Sequence, residues 1–486
     1  MAEEKTVYSN GILAESGDYG LILDVDELYE LIRAERGAVN DKERAFLDVQ
    51  KAGRQAKTLG PPPSIVPDDL VEARWGILWP PEPLTAAEQA HKDALDDLIA
   101  HRRQQMGGQA PHQFYYQPGW SYDDFLWEEG REVEPGTMQP DIVPYYLCIV
   151  GPPERIPWEF QQYLDGEYAV GRLWFDDPAD CARYVKHLLA YEKTNKPLPN
   201  AREALFVGTQ HQDDPPTQTS ATRLVRPLYD WLPKASGLKF RASLLLGAQS
   251  GSEATKTHLL QRLKGRNLAD EPLAPPSLLF TAGHGMEHEP PLSSAQYATQ
   301  GALVFQEWPH RYATLKPDHY LAGDEVGQDM RLTGMAAFCF ACFSAGTPLE
   351  EDWVYPTFLK KPARIAPAPF VARLPQKLLA HGLVAFIGHV SKAWDFSFLG
   401  TKRASEQVGT FRETIGELLR GRPIGHATDY LNERWTHLTV LLDRQAADPK
   451  KYSKEETIAT WEARNDCRGY AILGDPAARL RVERLK

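Results

Sequence analysis

A histidine and a cysteine stand where two apolar runs stop. The first run, Leu278-Leu279-Phe280-Thr281-Ala282, continues through Gly283 to His284 and Gly285. The second, Ala336-Ala337-Phe338-Cys339-Phe340, continues through Ala341 to Cys342. Each reads as a buried strand that delivers one polar side chain where the apolar pattern ends, as the C-terminal edge of a parallel sheet does. A thiol needs a base to become a nucleophile near neutral pH, and an imidazole is the usual one. In that chemistry Cys342 attacks a carbonyl, and His284 protonates the leaving amine and then activates water. Gly285 lets the chain approach the reacting carbonyl, and its N–H together with that of Cys342 would hold the oxyanion.

Other chemistries have a foothold nearby. His284 alone, between two glycines, also fits a tight turn after a strand. Cys339 and Cys342 form a Cys-x-x-Cys, but Phe340 and Ala341 lie inside an apolar run, whereas a redox pair favours a helix start. Zinc needs further close ligands, and Cys148, Cys181 and Cys467 are solitary. Cys339 therefore reads as a core residue, facing away from Cys342. Ser344 is a rival nucleophile, yet Cys342-Phe343-Ser344-Ala345-Gly346 has cysteine where G-x-S-x-G begins with glycine. There is no Walker loop, HExxH, complete GxGxxG or EF-hand calcium loop. The cysteine–histidine pair calls for no cofactor and no metal.

Elements that alternate between strand and helix must position the pair. From residue 144 onward, apolar strand-like runs occur at 145–151, 168–173, 204–208, 240–246, 382–388 and 470–474, besides the two above. Helical stretches separate them: 178–191 opened by Asp177 and Pro178, 222–231, one capped at Ser252, 374–382, and two from about 405 and 426. Such alternation implies right-handed crossovers and a mostly parallel sheet. Residues 1–140 are harder to read: a strand near 19–25, a helix over 27–35, proline-rich connectors at 61–67 and 79–83, and a helix within 85–105 whose Thr85 and Glu88 have capping-box spacing. Residues 106–140, rich in Gly, Pro, Trp and Tyr, read as a long surface loop. Three segments follow: 1–140 as a regulatory or helper segment, 141–199 as the rest of a small N-terminal subdomain, and 200–486 as the catalytic subdomain, with a linker at 195–200.

A formal net charge of −12 opposes non-specific binding to nucleic acid or anionic membranes. The first residues carry no apolar signal core, and no run approaches the roughly 18 apolar residues of a membrane span. Five unpatterned cysteines fit a reduced, cytoplasmic setting.

The separation of 342 − 284 = 58 residues, histidine first, compares with roughly 50 in caspase-type sequences. Further segments resemble the gingipain-like and CHAT branches of the caspase-like cysteine peptidases. Tyr146 to Pro157 is similar to the family's strand-Gly-Asp-x-x-x-Ile-Pro segment, with Pro152 where aspartate is usual. Tyr168-Ala169-Val170-Gly171-Arg172, Ala385-Phe386-Ile387-Gly388 leading to Trp394, and Gly474-Asp475-Pro476 resemble later family segments. The likeness runs from about 144 to 480. It implies a three-layer α/β/α sandwich with a mostly parallel sheet, preceded by a smaller α/β helper subdomain. It also implies a cysteine endopeptidase acting on peptides or proteins, with Cys342 as nucleophile, His284 as its partner and Gly285 as oxyanion donor. Trp394 would wall the primary specificity pocket, and Asp165 or Glu167 would select arginine or lysine. Activation by processing, an activating protein or a small-molecule signal would fit intracellular relatives; a catalytically silent scaffold is the alternative reading.

Overall fold

The computed structural model describes residues 6–34, 65–128, 130–134, 136–289, 293–309, 311–351, 363–394, 398–399 and 407–486. The first part of the 61–67 connector and the start expected near 405 lie outside them. Ten strands form one sheet: β1 (Trp75–Trp79), β2 (His112–Tyr115), β3 (Tyr146–Ile149), β4 (Ala169–Arg172), β5 (Glu203–Gly208), β6 (Arg241–Leu246), β7 (Leu278–Ala282), β8 (Ala336–Phe340), β9 (Ala385–His389) and β10 (Tyr470–Gly474). Their order is β2-β1-β3-β4-β10-β9-β8-β7-β5-β6, parallel throughout except where β9 meets β10.

Every residue of β7, β8, β9 and β10 is buried, which is why they read as unbroken apolar runs rather than as alternating ones. Alternate residues feed different cores. Cys148 packs with Cys181, Tyr184 and Leu188 of the helix Pro178–Lys193, whereas Leu147 and Ile149 pack with Phe160, Tyr163 and Trp435. Helices thus cover both faces, giving the α/β/α sandwich that the resemblance implies. The helix Gly409–Leu419 packs against Ile424–Ala447, and that against Lys454–Gly469. No helix among the described residues is long and apolar enough to cross a membrane.

The expected break near residue 140 does not interrupt the sheet. β1 and β2 come from the segment before it and pair on to β3, and β4 pairs with the C-terminal strand β10. The 106–140 stretch is not a plain surface loop either: it supplies β2 and the helix Tyr122–Trp127, whose Phe125 and Leu126 are fully buried. Its many glycines and prolines punctuate two short elements too brief to show a period. A buried ion network ties these N-terminal elements to the end of the chain. Arg102 Nε donates to Asp475 at 2.8 Å, and its Nη1 and Nη2 donate to Glu192 at 2.7 and 2.8 Å. Trp75 Nε1 donates to the other Asp475 oxygen at 3.0 Å. The Gly474-Asp475-Pro476 motif is therefore a structural anchor.

Two small sheets complete the part that matters for function. Thr6–Tyr8 pairs antiparallel with Ile22–Asp24, making an N-terminal hairpin. Its middle portion, Gly11–Leu13, runs parallel to Gly285–Glu287, immediately after His284.

Candidate active site

β7 and β8 are neighbours, with Ala282 opposite Phe340. Two residues further along each chain stand His284 and Cys342, so the common register brings them to the same level at the C-terminal edge. Gly285 lies against the cysteine: a Cβ built on it would fall 2.0 Å from the Cys342 carbonyl oxygen and 2.9 Å from its nitrogen. Only glycine fits that approach. Directly after Cys342, Phe343 has φ +55°, a left-handed conformation that a bulky residue holds only when its surroundings impose it. Phe343 N–H donates to the Ser391 carbonyl at 2.9 Å, and Ala345 N–H to that of His389 at 2.8 Å. Both strap the turn to the end of β9.

Asp214 orients the imidazole. Its Oδ2 lies 2.8 Å from His284 Nε2, and both residues are buried. Thr217 Oγ1 donates to the same oxygen, and Tyr19 OH donates to Oδ1 at 2.5 Å. Burial alone would raise the Asp214 pKa, but the imidazole and these three hydrogen bonds hold it well below the usual carboxylate range. With Nε2 bound, the other ring nitrogen, Nδ1, has no hydrogen-bond partner. Trp308 packs edge-on against the ring at 5.8 Å, and His211 stacks at 6.3 Å. His211 is pushed down to about 4, by burial first and then by His284, and is neutral beside it.

The Cys342 thiol accepts a hydrogen bond from Ala393 N–H at 3.1 Å and sits 3.8 Å from the Ala393 carbonyl. Burial pushes its pKa well up; Glu287 adds to that, and Lys392 opposes it. Lys392 Nζ donates to Glu287 at 2.6 Å and lies 3.5 Å from Glu351. This buried triad sets the charge around the sulfur.

Gly285 thus meets Cys342, and His284 stands at the same level of the neighbouring chain, its Nδ1 without a hydrogen-bond partner. Asp165 and Glu167 do not join them. They precede β4, at the same edge of the sheet but with β10 and β9 in between, and both are buried. Asp165 Oδ1 accepts from Val170 N–H at 3.0 Å, and Glu167 Oε1 accepts from Gly136 N–H at 2.5 Å. Burial pushes them up to about 8 and about 7. Their place away from Cys342 gives no support to the expected role in a basic-residue pocket. Trp394 is fully buried against Trp461, with ring centroids 5.1 Å apart, in a cluster with Val7, Leu28 and Ile32. Ser344 Oγ accepts from His389 N–H at 3.1 Å, a bond that ties it to the end of β9. Cys339 stays in the core, its thiol pushed up to about 12 by burial.

Asp214 was not among the residues that sequence reasoning singled out. It follows β5, the strand beside the histidine strand, and precedes Pro215 at the start of the helix Pro215–Ser220. The available signal was an acid past the end of an adjacent strand, and Asp-Pro there reads first as a helix start.

No family model and no curated protein matches the chain. Solved structures do. One described as a protease matches at 12% identity and TM-score 0.46, over 84% of this chain and 78% of that one. The Arg-specific cysteine proteinase gingipain R matches at 13% and 0.41, over 85% and 79%. The Saccharomyces cerevisiae separase–securin complex matches at 12% and 0.33, over 93% of this chain and 24% of that one. Likenesses of this size carry no argument about activity.

Proposed function

We propose that the chain is a cysteine endopeptidase of the caspase-like kind, hydrolysing peptide bonds in peptide or protein substrates. The observation that carries this reading is the shared register of His284 and Cys342 at one sheet edge, with Asp214 holding Nε2 and leaving Nδ1 without a partner. In the reaction, His284 takes the thiol proton through Nδ1 and the sulfur attacks the carbonyl carbon. Gly285 N–H stabilises the oxyanion, and His284 returns the proton to the leaving amine. Asp214 fixes the tautomer and stabilises the imidazolium that forms. Water admitted to the acyl-enzyme completes hydrolysis. The five free cysteines, all buried, suit a reducing compartment such as the cytoplasm.

A silent scaffold draws on one observation, that Cys342 and His284 are both fully buried. The deciding experiment is cleavage of a fluorogenic peptide library by wild type and by Cys342→Ala. Cleavage that disappears with the sulfur supports the peptidase; equal cleavage by both proteins, or none by either, sinks it.

A further inference from the structure

The chain's own N-terminal hairpin lies across the edge where His284 and Cys342 stand. Asn10 carbonyl accepts the hydrogen bond from Gly285 N–H at 3.1 Å, the donor assigned to the oxyanion. Asn10 N–H donates to the Ala393 carbonyl at 2.9 Å, and Ala393 N–H is the group bonded to the Cys342 sulfur. Ser9 bridges antiparallel to Trp394, while Gly11–Leu13 pairs with Gly285–Glu287. The Asn10 peptide unit is thus bracketed by the backbone on both sides of the dyad.

The fit extends beyond these bonds. A Cβ on Gly11 would meet Glu287 Oε1 at 1.6 Å, and one on Gly20 would meet Oε2 at 2.2 Å. Two glycines of the hairpin therefore leave room for the carboxylate that pairs with Lys392. Tyr19, also in this segment, donates to Asp214. Ser9 and Asn10 are fully buried, and neither side-chain polar atom of Asn10 has a partner. Leaving a buried amide unbonded costs free energy, so its placement is not explained by stability.

We propose that Ser9-Asn10-Gly11 is a substrate held in the protein's own active site, with Asn10 in the primary specificity position, and that Cys342 cuts the Asn10–Gly11 bond. The inference rests on the peptidase reading. The sulfur, deprotonated by His284, forms a C–S bond with the Asn10 carbonyl carbon. Collapse of the tetrahedral species breaks the C–N bond to Gly11, whose nitrogen takes the proton from His284. A water molecule then adds to the thioester, its proton passing to His284, and the C–S bond breaks. The segment that ends at Asn10 leaves with a free carboxylate, the thiol is restored, and the place that Ser9 and Asn10 filled is open to other chains. The residue at the cleaved position is then asparagine, not arginine or lysine, although no group of the site bonds its amide.

The test incubates full-length wild type, Cys342→Ala and Asn10→Ala, and follows intact mass and N-terminal sequence over time, alongside peptides varied at the cleaved position. Wild type is expected to acquire the new N-terminus Gly11-Ile12-Leu13, and Cys342→Ala to stay intact. Asn10→Ala is expected still to be cut, since no group bonds the Asn10 amide, and uncharged residues to be preferred over arginine or lysine in the peptides by at least about tenfold. A wild type that cleaves peptides through Cys342 but keeps residues 1–10, or prefers a basic residue, overturns this inference and leaves the peptidase standing. Absence of all Cys342-dependent cleavage, of peptides and of itself, removes both.

Discussion

Replacing Asp214 by asparagine tests the catalytic geometry with least disturbance of shape. The carboxylate accepts from His284 Nε2 at 2.8 Å, from Tyr19 OH at 2.5 Å and from the Thr217 hydroxyl, so all three neighbours are donors. An amide has one acceptor oxygen and one NH2: with the oxygen toward Nε2 the Tyr19 hydroxyl must turn to accept, and with the NH2 toward Nε2 a donor faces a donor. If the NH2 faces Nε2, the imidazole proton moves to Nδ1, the nitrogen that must accept from the thiol. A hydrogen bond to a charged group contributes about 1.5–3 kcal/mol. Lost from the transition state, that corresponds to a fall of about 10- to 150-fold in kcat/KM. The assay is kcat/KM on the best library peptide, with Cys342→Ala as the floor. A correctly folded Asp214→Asn within about twofold of wild type would refute the orienting role, since about 0.4 kcal/mol is less than any charged hydrogen bond. Stability offers a second readout. Because the folded-state pKa is depressed, the stabilisation is complete above the unfolded value of about 4 and is lost as pH falls through the folded one. Asp214→Asn should therefore melt earlier than wild type at neutral pH, with the gap narrowing in strong acid.

Gly285→Ala puts a methyl group 2.0 Å from the Cys342 carbonyl oxygen, against backbone that cannot swing aside. We expect peptidase activity to fall at least about 100-fold, the scale of losing an oxyanion donor, with folding retained by circular dichroism. Asp165→Asn and Glu167→Gln report on two buried carboxylates whose folded pKa values are raised to about 8 and about 7. A raised carboxylate destabilises the fold as pH climbs from its unfolded value through the folded one, so each variant should gain in Tm relative to wild type at pH near 8.5 and not near pH 4. Arg102→Met leaves Asp475 buried without its cation and Glu192 with His101 alone, and should cost about 3–5 kcal/mol in denaturant unfolding. Lys392→Met removes the cation that lowers the Cys342 pKa while Glu287 and Glu351 remain. The rise of kcat/KM with pH should shift to higher pH; an unchanged profile would show that this charge does not reach the sulfur.

β7 and β8 were legible because a sheet buried on both faces turns each strand into a continuous apolar run, and the first polar residue after such a run marks the edge. Singling out His284 and Cys342 as a pair took the two runs together and the family resemblance, and the registry of β7 with β8 follows once the two runs are neighbours. Asp165 and Glu167 misled for the opposite reason. Exposure of a carboxylate in a short connection is the ordinary expectation, and nothing local announces that helix Trp158–Asp165 packs both of them into the fold. β1 and β2 escaped notice because the glycines, prolines and aromatics around them obscure any period, although Trp75, Ile77, Leu78 and Trp79 are all fully buried.

The N-terminal hairpin was legible only in part. Ile22–Asp24 falls within the strand expected near 19–25, but Thr6–Tyr8 is too short to declare itself, and what defines the segment is the partners it meets some 270 residues later. The contact becomes intelligible only from the site outward. Gly285 carries a donor for a carbonyl, Ala393 an acceptor for an N–H, and Glu287 a bulk that only glycine can pass. A segment chosen for stability would pair its buried amide; one chosen to match the cleft need satisfy only the backbone that the chemistry requires. Asn10 meets the second description and not the first, so the backbone groups that carry the peptidase reading are also those that hold this segment.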